Sequence, residues 1–158
     1  AKRVALAVCG IVLCAMCLSG CGKQPDNEQA LRTAVDQINT QTPMEIDEIT
    51  RLDSASYVLP TTLHYHYTLA LDSLSEAERA DMVAYMRATM PDRLRAESGS
   101  AAMSEMSITL HYLYNNPAGE LLYEVAIAPE EYAPVADNAT KAMRQEYTRA
   151  DGKKIVKV

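Results

Sequence analysis

The sequence predicts an α+β domain: an antiparallel sheet of about four strands with helices on one face, in the order helix, strand, strand, helix, strand, strand, helix. Three observations predict it. First, apolar and polar residues alternate with period two, with Leu63, Tyr65, Tyr67, Leu69 and Leu71 on one side and His64, His66, Thr68 and Ala70 on the other. Second, the same alternation returns in Ile108, Leu110, Tyr112 and Tyr114, and again in Leu121, Tyr123, Val125 and Ile127. Third, Leu31, Ala34, Val35 and Ile38 recur at helical spacing, and Ser75 with Glu78 makes a capping box for a second helix.

The chain has 158 residues, enough for one domain with a modest core. It opens with Lys2 and Arg3, and then Val4 to Leu18 carries no charge. A membrane-spanning helix needs about 20 apolar residues. A basic start, a shorter apolar run and a small-residue exit describe an export signal instead. The exit, Leu18-Ser19-Gly20-Cys21, resembles the bacterial lipobox. That resemblance implies cleavage before Cys21 and a lipid on its sulfur, so residues 1–20 would be a lipoprotein signal peptide. All four cysteines then have an account: Cys9, Cys14 and Cys17 go with the leader, and Cys21 is the lipid attachment residue. No thiol remains for a disulfide, so the domain must hold by packing alone. Gly22, where an Asp would favour the inner membrane, points to the outer membrane facing the periplasm in a Gram-negative host.

Residues 21–27 read as a polar tether and 28–150 as the single domain. The first helix starts near Glu28, with Asp26 or Asn27 as its cap, and ends before Pro43. Met44 to Asp53 has strand length, and Ser54-Ala55-Ser56 reads as a turn. Tyr57 to Leu71 is the second strand. The second helix runs from Glu76 to about Met90, with Ala77, Met82, Tyr85, Met86 and Thr89 near one stripe and Pro91 kinking or ending it. Arg93 to Ala102 reads as a loop, although Leu94 could extend the helix. Ser104 to Asn115 is the third strand, Asn115 to Gly119 a turn, and Glu120 to Ala128 the fourth strand. After a break at Pro129 to Pro134, Ala136 to Tyr147 fits a last helix, and 151–158 is a basic tail. Thr62 to Tyr67 and Thr109 to Tyr114 agree at five of six positions, 47 residues apart. The echo fits either two similar hairpins or two strands under one packing demand.

Composition narrows the function. Loss of residues 1–20 deepens the formal net charge from −6 to −8, which argues against nucleic acid and against electrostatic binding to anionic lipid. The membrane contact would rest on acyl chains, each buried CH₂ contributing about 0.8 kcal/mol. There is no glycine-rich phosphate loop, and Ser98-Gly99-Ser100 lacks the flanks of a nucleophile elbow. Nine Tyr stand beside no Phe and no Trp, so tyrosine supplies all aromatic packing. The rows Tyr65, Tyr67, Tyr112, Tyr114 and Tyr123 fit either core or a binding face.

One segment carries a wider resemblance: Asn39, Pro43, Ile46, Asp47, Thr50, Arg51, Leu52 and Asp53, followed by Tyr65-x-Tyr67-x-Leu69 and by Tyr112-x-Tyr114 before Gly119. This pattern resembles a widespread set of small bacterial secreted proteins and lipoproteins over roughly residues 28–132. The resemblance implies an envelope protein and brings no activity and no catalytic residue. Within it, Asp47, Thr50, Arg51 and Asp53 crowd polar groups onto one strand. They fit a binding site in which Arg51 offers a planar donor fork to a carboxylate. They equally fit an internal Arg–Asp pair and a Thr bond fixing the strand to the first helix.

His64, His66 and His111 are the only histidines. Residues i and i+2 of a strand point the same way, and a neighbouring strand in matching register would add His111. Three such imidazoles are a zinc-enzyme constellation; on a solvated strand face they need no ligand. The leading expectation is a non-enzymatic, lipid-anchored binding, inhibitor or assembly module with an envelope protein partner and no cofactor. The alternative is a zinc-dependent enzyme on His64, His66 and His111.

Overall fold

The computed structural model describes residues 26–135, together with the backbone of 146–148 and 154–156. Helix α1 (Asn27–Gln41) is capped by Asp26, whose carboxylate accepts from the Gln29 N–H at 2.8 Å. Its apolar stripe, Leu31, Ala34, Val35 and Ile38, is buried. Strands β1 (Met44–Glu45), β2 (Thr50–Val58) and β3 (Thr62–Leu69) follow. Then come α2 (Glu76–Ala96), α3 (Ser100–Glu105), β4 (Thr109–Asn115), β5 (Leu121–Ile127) and α4 (Pro129–Tyr132). A separate hairpin pairs β6 (Glu146–Thr148) with β7 (Lys154–Val156).

The fold class is the expected one. Five strands lie in the order β1-β2-β3-β4-β5. Helix α1 packs on β2 and β3 and α2 on β5, and their buried residues join the sheet in one core. Every pairing is antiparallel except the central one: β3 and β4 run parallel. A parallel pair cannot be joined by a tight turn, and here α2 and α3 supply the crossover. The repeated hexapeptide is thereby explained. Leu63 faces Leu110, His64 faces His111, Tyr65 faces Tyr112 and Tyr67 faces Tyr114, so each of the five repeated residues sits beside its own copy, and His66 faces Leu113.

Several expected boundaries move, each for a local reason. Met44 to Asp53 is not one strand. The Asp47 carboxylate accepts from the Ile49 and Thr50 N–H groups at 2.9 and 2.8 Å, closing a turn between β1 and β2. Ser54 to Ser56 lies inside β2, where Ala55 is buried, and is not a turn. The expected strand from Tyr57 to Leu71 is broken around Pro60, where β2 ends and β3 begins. Helix α2 passes through Pro91, because Leu94 is buried one turn beyond and Arg95 donates to the Glu131 carbonyl at 2.6 Å. Tertiary packing outweighs the hydrogen bond that proline removes. Most of the loop expected over Arg93 to Ala102 is therefore helical. The buried stripe of α2 is Met86, Met90 and Leu94, while Tyr85 is exposed.

Helix α3 also takes the start of the expected third strand, and α4 takes part of the break after Ala128. The helix expected over Ala136 to Tyr147 falls mainly outside the described residues. Its last positions are extended, because Glu146 and Tyr147 belong to β6, and part of the basic tail forms β7.

Candidate functional site

The two faces of the sheet carry different chemistry. Toward the helices point the tyrosines. Tyr65 stacks on Tyr112 at 5.1 Å, Tyr67 on Tyr114 at 4.7 Å and Tyr114 on Tyr123 at 4.5 Å between ring centroids. Tyr65, Tyr112 and Tyr123 are buried, and Tyr67 and Tyr114 pack half-buried against them. These rings are core. Burial pushes the Tyr123 hydroxyl up to about 12.

The opposite face brings together the two groups of polar residues that the sequence singles out in separate segments. On β3, His64, His66 and Thr68 share this side, half-buried. The parallel register sets His111 beside His64, with ring centroids 4.9 Å apart and the rings edge-to-face; His64 and His66 are 6.0 Å apart. The His66 Nε2 lies 2.7 Å from the Ser56 hydroxyl, and the His111 Nε2 lies 3.0 Å from a Glu124 carboxylate oxygen. Burial, followed by the neighbouring His111 and His66, holds the His64 pKa below its usual value. Burial likewise lowers His66, against the opposing pull of the Asp53 carboxylate.

Arg51 and Asp53 reach the same face from β2. The Arg51 Nε donates to Asp53 at 2.6 Å, and the Thr68 hydroxyl donates to the other Asp53 oxygen at 2.5 Å. Irregular pairing between Leu52 and Ser54 lets Asp53 reach Thr68 while Leu52 stays in the core. Glu45 pairs with Arg51 across β1 and β2, and a cleft here is lined by Glu45, Glu48, Arg51 and Thr68.

Of the four candidate binding residues, Arg51 and Asp53 lie on this face, while Asp47 and Thr50 form the β1–β2 turn. The Asp53 pairings tie β2 to β3 and not to the first helix. That tie is made by Asn39, whose side-chain amide donates to the Ala55 carbonyl at 3.0 Å and accepts from the Ala55 N–H at 2.7 Å. It satisfies both backbone groups where β1 has ended and the edge of β2 would otherwise be open.

Among the described residues, no three His, Cys, Asp or Glu side chains converge to hold a metal ion. His66 and His111 are instead engaged by a hydroxyl and a carboxylate, and His64 leans on His111. Ser56 and Glu124 were missed in the sequence. Ser56 sits in a tripeptide with turn composition, and Glu124 is the one charged residue inside a strand of alternating pattern, a signal that was there to use. Cys21 lies outside the described residues. No helix among the described residues is long and apolar enough to cross a membrane.

A five-stranded sheet with helices on one side and a polar face on the other defines a small α+β module. Residues 26–123 match the family described as a domain of unknown function (DUF8479), and the chain belongs to that family. Solved structures share the fold. A provisionally named secreted protein from Pseudomonas aeruginosa is similar with a TM-score of 0.56 and 15% identity, covering 70% of this chain and 99% of that one. The type 2 secretion system pilotin EpsS from Vibrio vulnificus is similar with a TM-score of 0.50 and 12% identity, covering 69% and 96%. The type II secretion system pilotin AspS from Vibrio cholerae gives a TM-score of 0.49 at 13% identity, covering 66% and 90%. At these identities the likeness is one of fold. No curated protein sequence matches the chain.

Proposed function

We propose that this chain is a lipid-anchored envelope lipoprotein whose α+β domain works by binding a protein partner of the envelope and not by catalysis. The observation that carries the proposal is the shared fold with a secretion-system pilotin and with a protein named as secreted. The export-type leader ending in Leu18-Ser19-Gly20-Cys21 is an independent pointer to the same compartment. In this reading residues 1–20 are removed, Cys21 carries lipid, the tether expected over 21–27 gives up Asp26 and Asn27 to the start of α1, the binding domain runs from there to 150 and 151–158 is its tail. The outer membrane, facing the periplasm, is the proposed site. The surface formed by Arg51 and Asp53, with Asp47 and Thr50 shaping the turn beside it, is the proposed contact.

Two experiments test this. Cells fed radiolabelled palmitate should label the native chain and not a Cys21→Ser variant, which should leave the membrane fraction. Equal labelling of both would remove the anchor from the proposal. Crosslinking in intact cells should join the domain to an envelope protein, and Arg51→Ala should weaken that capture. The zinc-enzyme alternative on His64, His66 and His111 makes a different prediction: stoichiometric zinc in the purified chain, lost in His66→Ala.

A further inference from the structure

We propose that the cluster of His64, His66 and His111 is a proton-linked docking site for a carboxylate-bearing segment of a protein partner. The inference rests on the partner-binding reading and extends the contact from Arg51 and Asp53 to the histidines beside them on the same face, and its test needs neither a lipid anchor nor a known partner.

The observation is the juxtaposition itself. All three histidines of the chain stand on the open face of the central parallel pair. The register puts two of them edge-to-face at 4.9 Å and the third at 6.0 Å. A hydrophobic face would bind by burial, and a face of lysines would bind acidic groups at any ordinary pH. Imidazoles attract them by charge only when protonated, an event whose ordinary midpoint is about 6.5.

Among the described residues, the charged groups facing the cluster are few. From β2 come Asp53, toward His66, and its partner Arg51; Glu45 on β1 lies beyond Arg51. From β5 comes Glu124, on His111. With the imidazoles neutral, these carboxylates outnumber the single arginine and repel an acidic segment. With the three imidazoles charged, the balance reverses. In the free protein, burial and mutual proximity disfavour that charged state for His64 and His66. A partner carboxylate set over the cluster supplies what is missing, an opposite charge within a few ångströms. Binding therefore takes up protons, and affinity rises as pH falls. Glu124 is the internal competitor for the same imidazolium.

The test uses the purified full chain in mild detergent, with a fluorescein-labelled oligoglutamate peptide as probe, at low ionic strength. Anisotropy should show affinity rising about tenfold between pH 7.5 and pH 5.5, the response to uptake of a fraction of a proton to one proton per complex. In the same range the probe should raise the midpoints of the His64 and His66 ring signals in proton NMR. The double variant His64→Gln/His111→Gln should lose the pH dependence while keeping its circular dichroism. Glu124→Gln, which keeps every histidine, should bind the probe a few-fold more tightly at pH 5.5. Equal affinity at the two pH values overturns the proposal, as does an unchanged rise in the double variant. Weaker binding by Glu124→Gln overturns it too, and that variant remains informative if the double variant fails to fold. A chain that binds the probe as expected but is not labelled by palmitate would keep this inference and lose the anchor.

Discussion

The two faces of one sheet are made by the same strands, residue by alternate residue, and they do opposite things. Tyr65 and Tyr112 stack under the helices, and one step along the chain His64 and His111 meet on the open side. On the packed side, rings lie nearly parallel, at interplanar angles of 10° for Tyr65–Tyr112 and 13° for Tyr114–Tyr123, and Tyr65, Tyr112 and Tyr123 are buried. On the open side each ring engages a polar neighbour or another ring edge, and Glu124 remains half in solvent. Alternation gives a strand two independent surfaces, one committed to stability and the other available for recognition.

The largest expected effect breaks this comparison outright. Tyr112→Ala should destabilise the protein by about 4 kcal/mol, because it removes a buried ring from a stack and leaves a cavity. His111→Ala, one residue away on the same strand, should cost less than about 1 kcal/mol, since water can replace its contacts. Urea denaturation of the two variants measures both, and equal losses would mean that the faces are not distinct. A sharper comparison uses single hydroxyls. The fully buried Tyr132 donates to the Ile108 carbonyl, so Tyr132→Phe leaves that carbonyl unpaired and should cost about 1–3 kcal/mol. Ser56→Ala removes the bond to His66 where solvent reaches, and should cost less than about 0.5 kcal/mol.

The smallest effect is a dependence on pH. His64 and His66 have folded pKa values below their ordinary one, so the unfolded chain takes up protons first. Their contribution to stability is full above the ordinary value of about 6.5 and is lost as pH falls from there through the lower folded values. Denaturation midpoints measured between pH 7.5 and pH 5.5 should therefore decline, and His64→Gln should flatten the decline. A midpoint that rises on acidification would reverse the sign assigned to these rings.

Much of the fold was legible in the sequence because it rests on local rules. The capping box at Ser75 and Glu78 forms as expected, with the Ser75 N–H donating to Glu78 at 2.8 Å and the Glu78 N–H donating to Ser75 at 3.3 Å. The stripe of α1 and the alternation in β3 and β4 also sit where period and spacing put them, while in β5 the alternation holds from Tyr123 to Ile127 and fails before it, because a register shift exposes Leu121 and buries Leu122. The element ends were not legible where a tertiary contact decides. Leu94 could be seen as able to extend the helix past Pro91, but nothing nearby announces that Arg95 will find the Glu131 carbonyl 36 residues on. Of the site, the histidines and the Arg51 and Asp53 pair were visible as residue types, yet no local signal says that they share one surface.

The sequence by itself determined that the chain alternates and coils as an α+β domain, that tyrosine is its only aromatic, and that its three histidines fall on one side of their strands. Those properties depend on residues a few positions apart. Only the tertiary structure decided that β3 and β4 are parallel neighbours in register, which sets each residue of the repeated hexapeptide beside its counterpart and gathers His64, His66 and His111 into a cluster. The reason is that strand direction and partner are fixed by the crossover through α2 and α3 and by burial of a shared core, both of which join residues far apart in the chain.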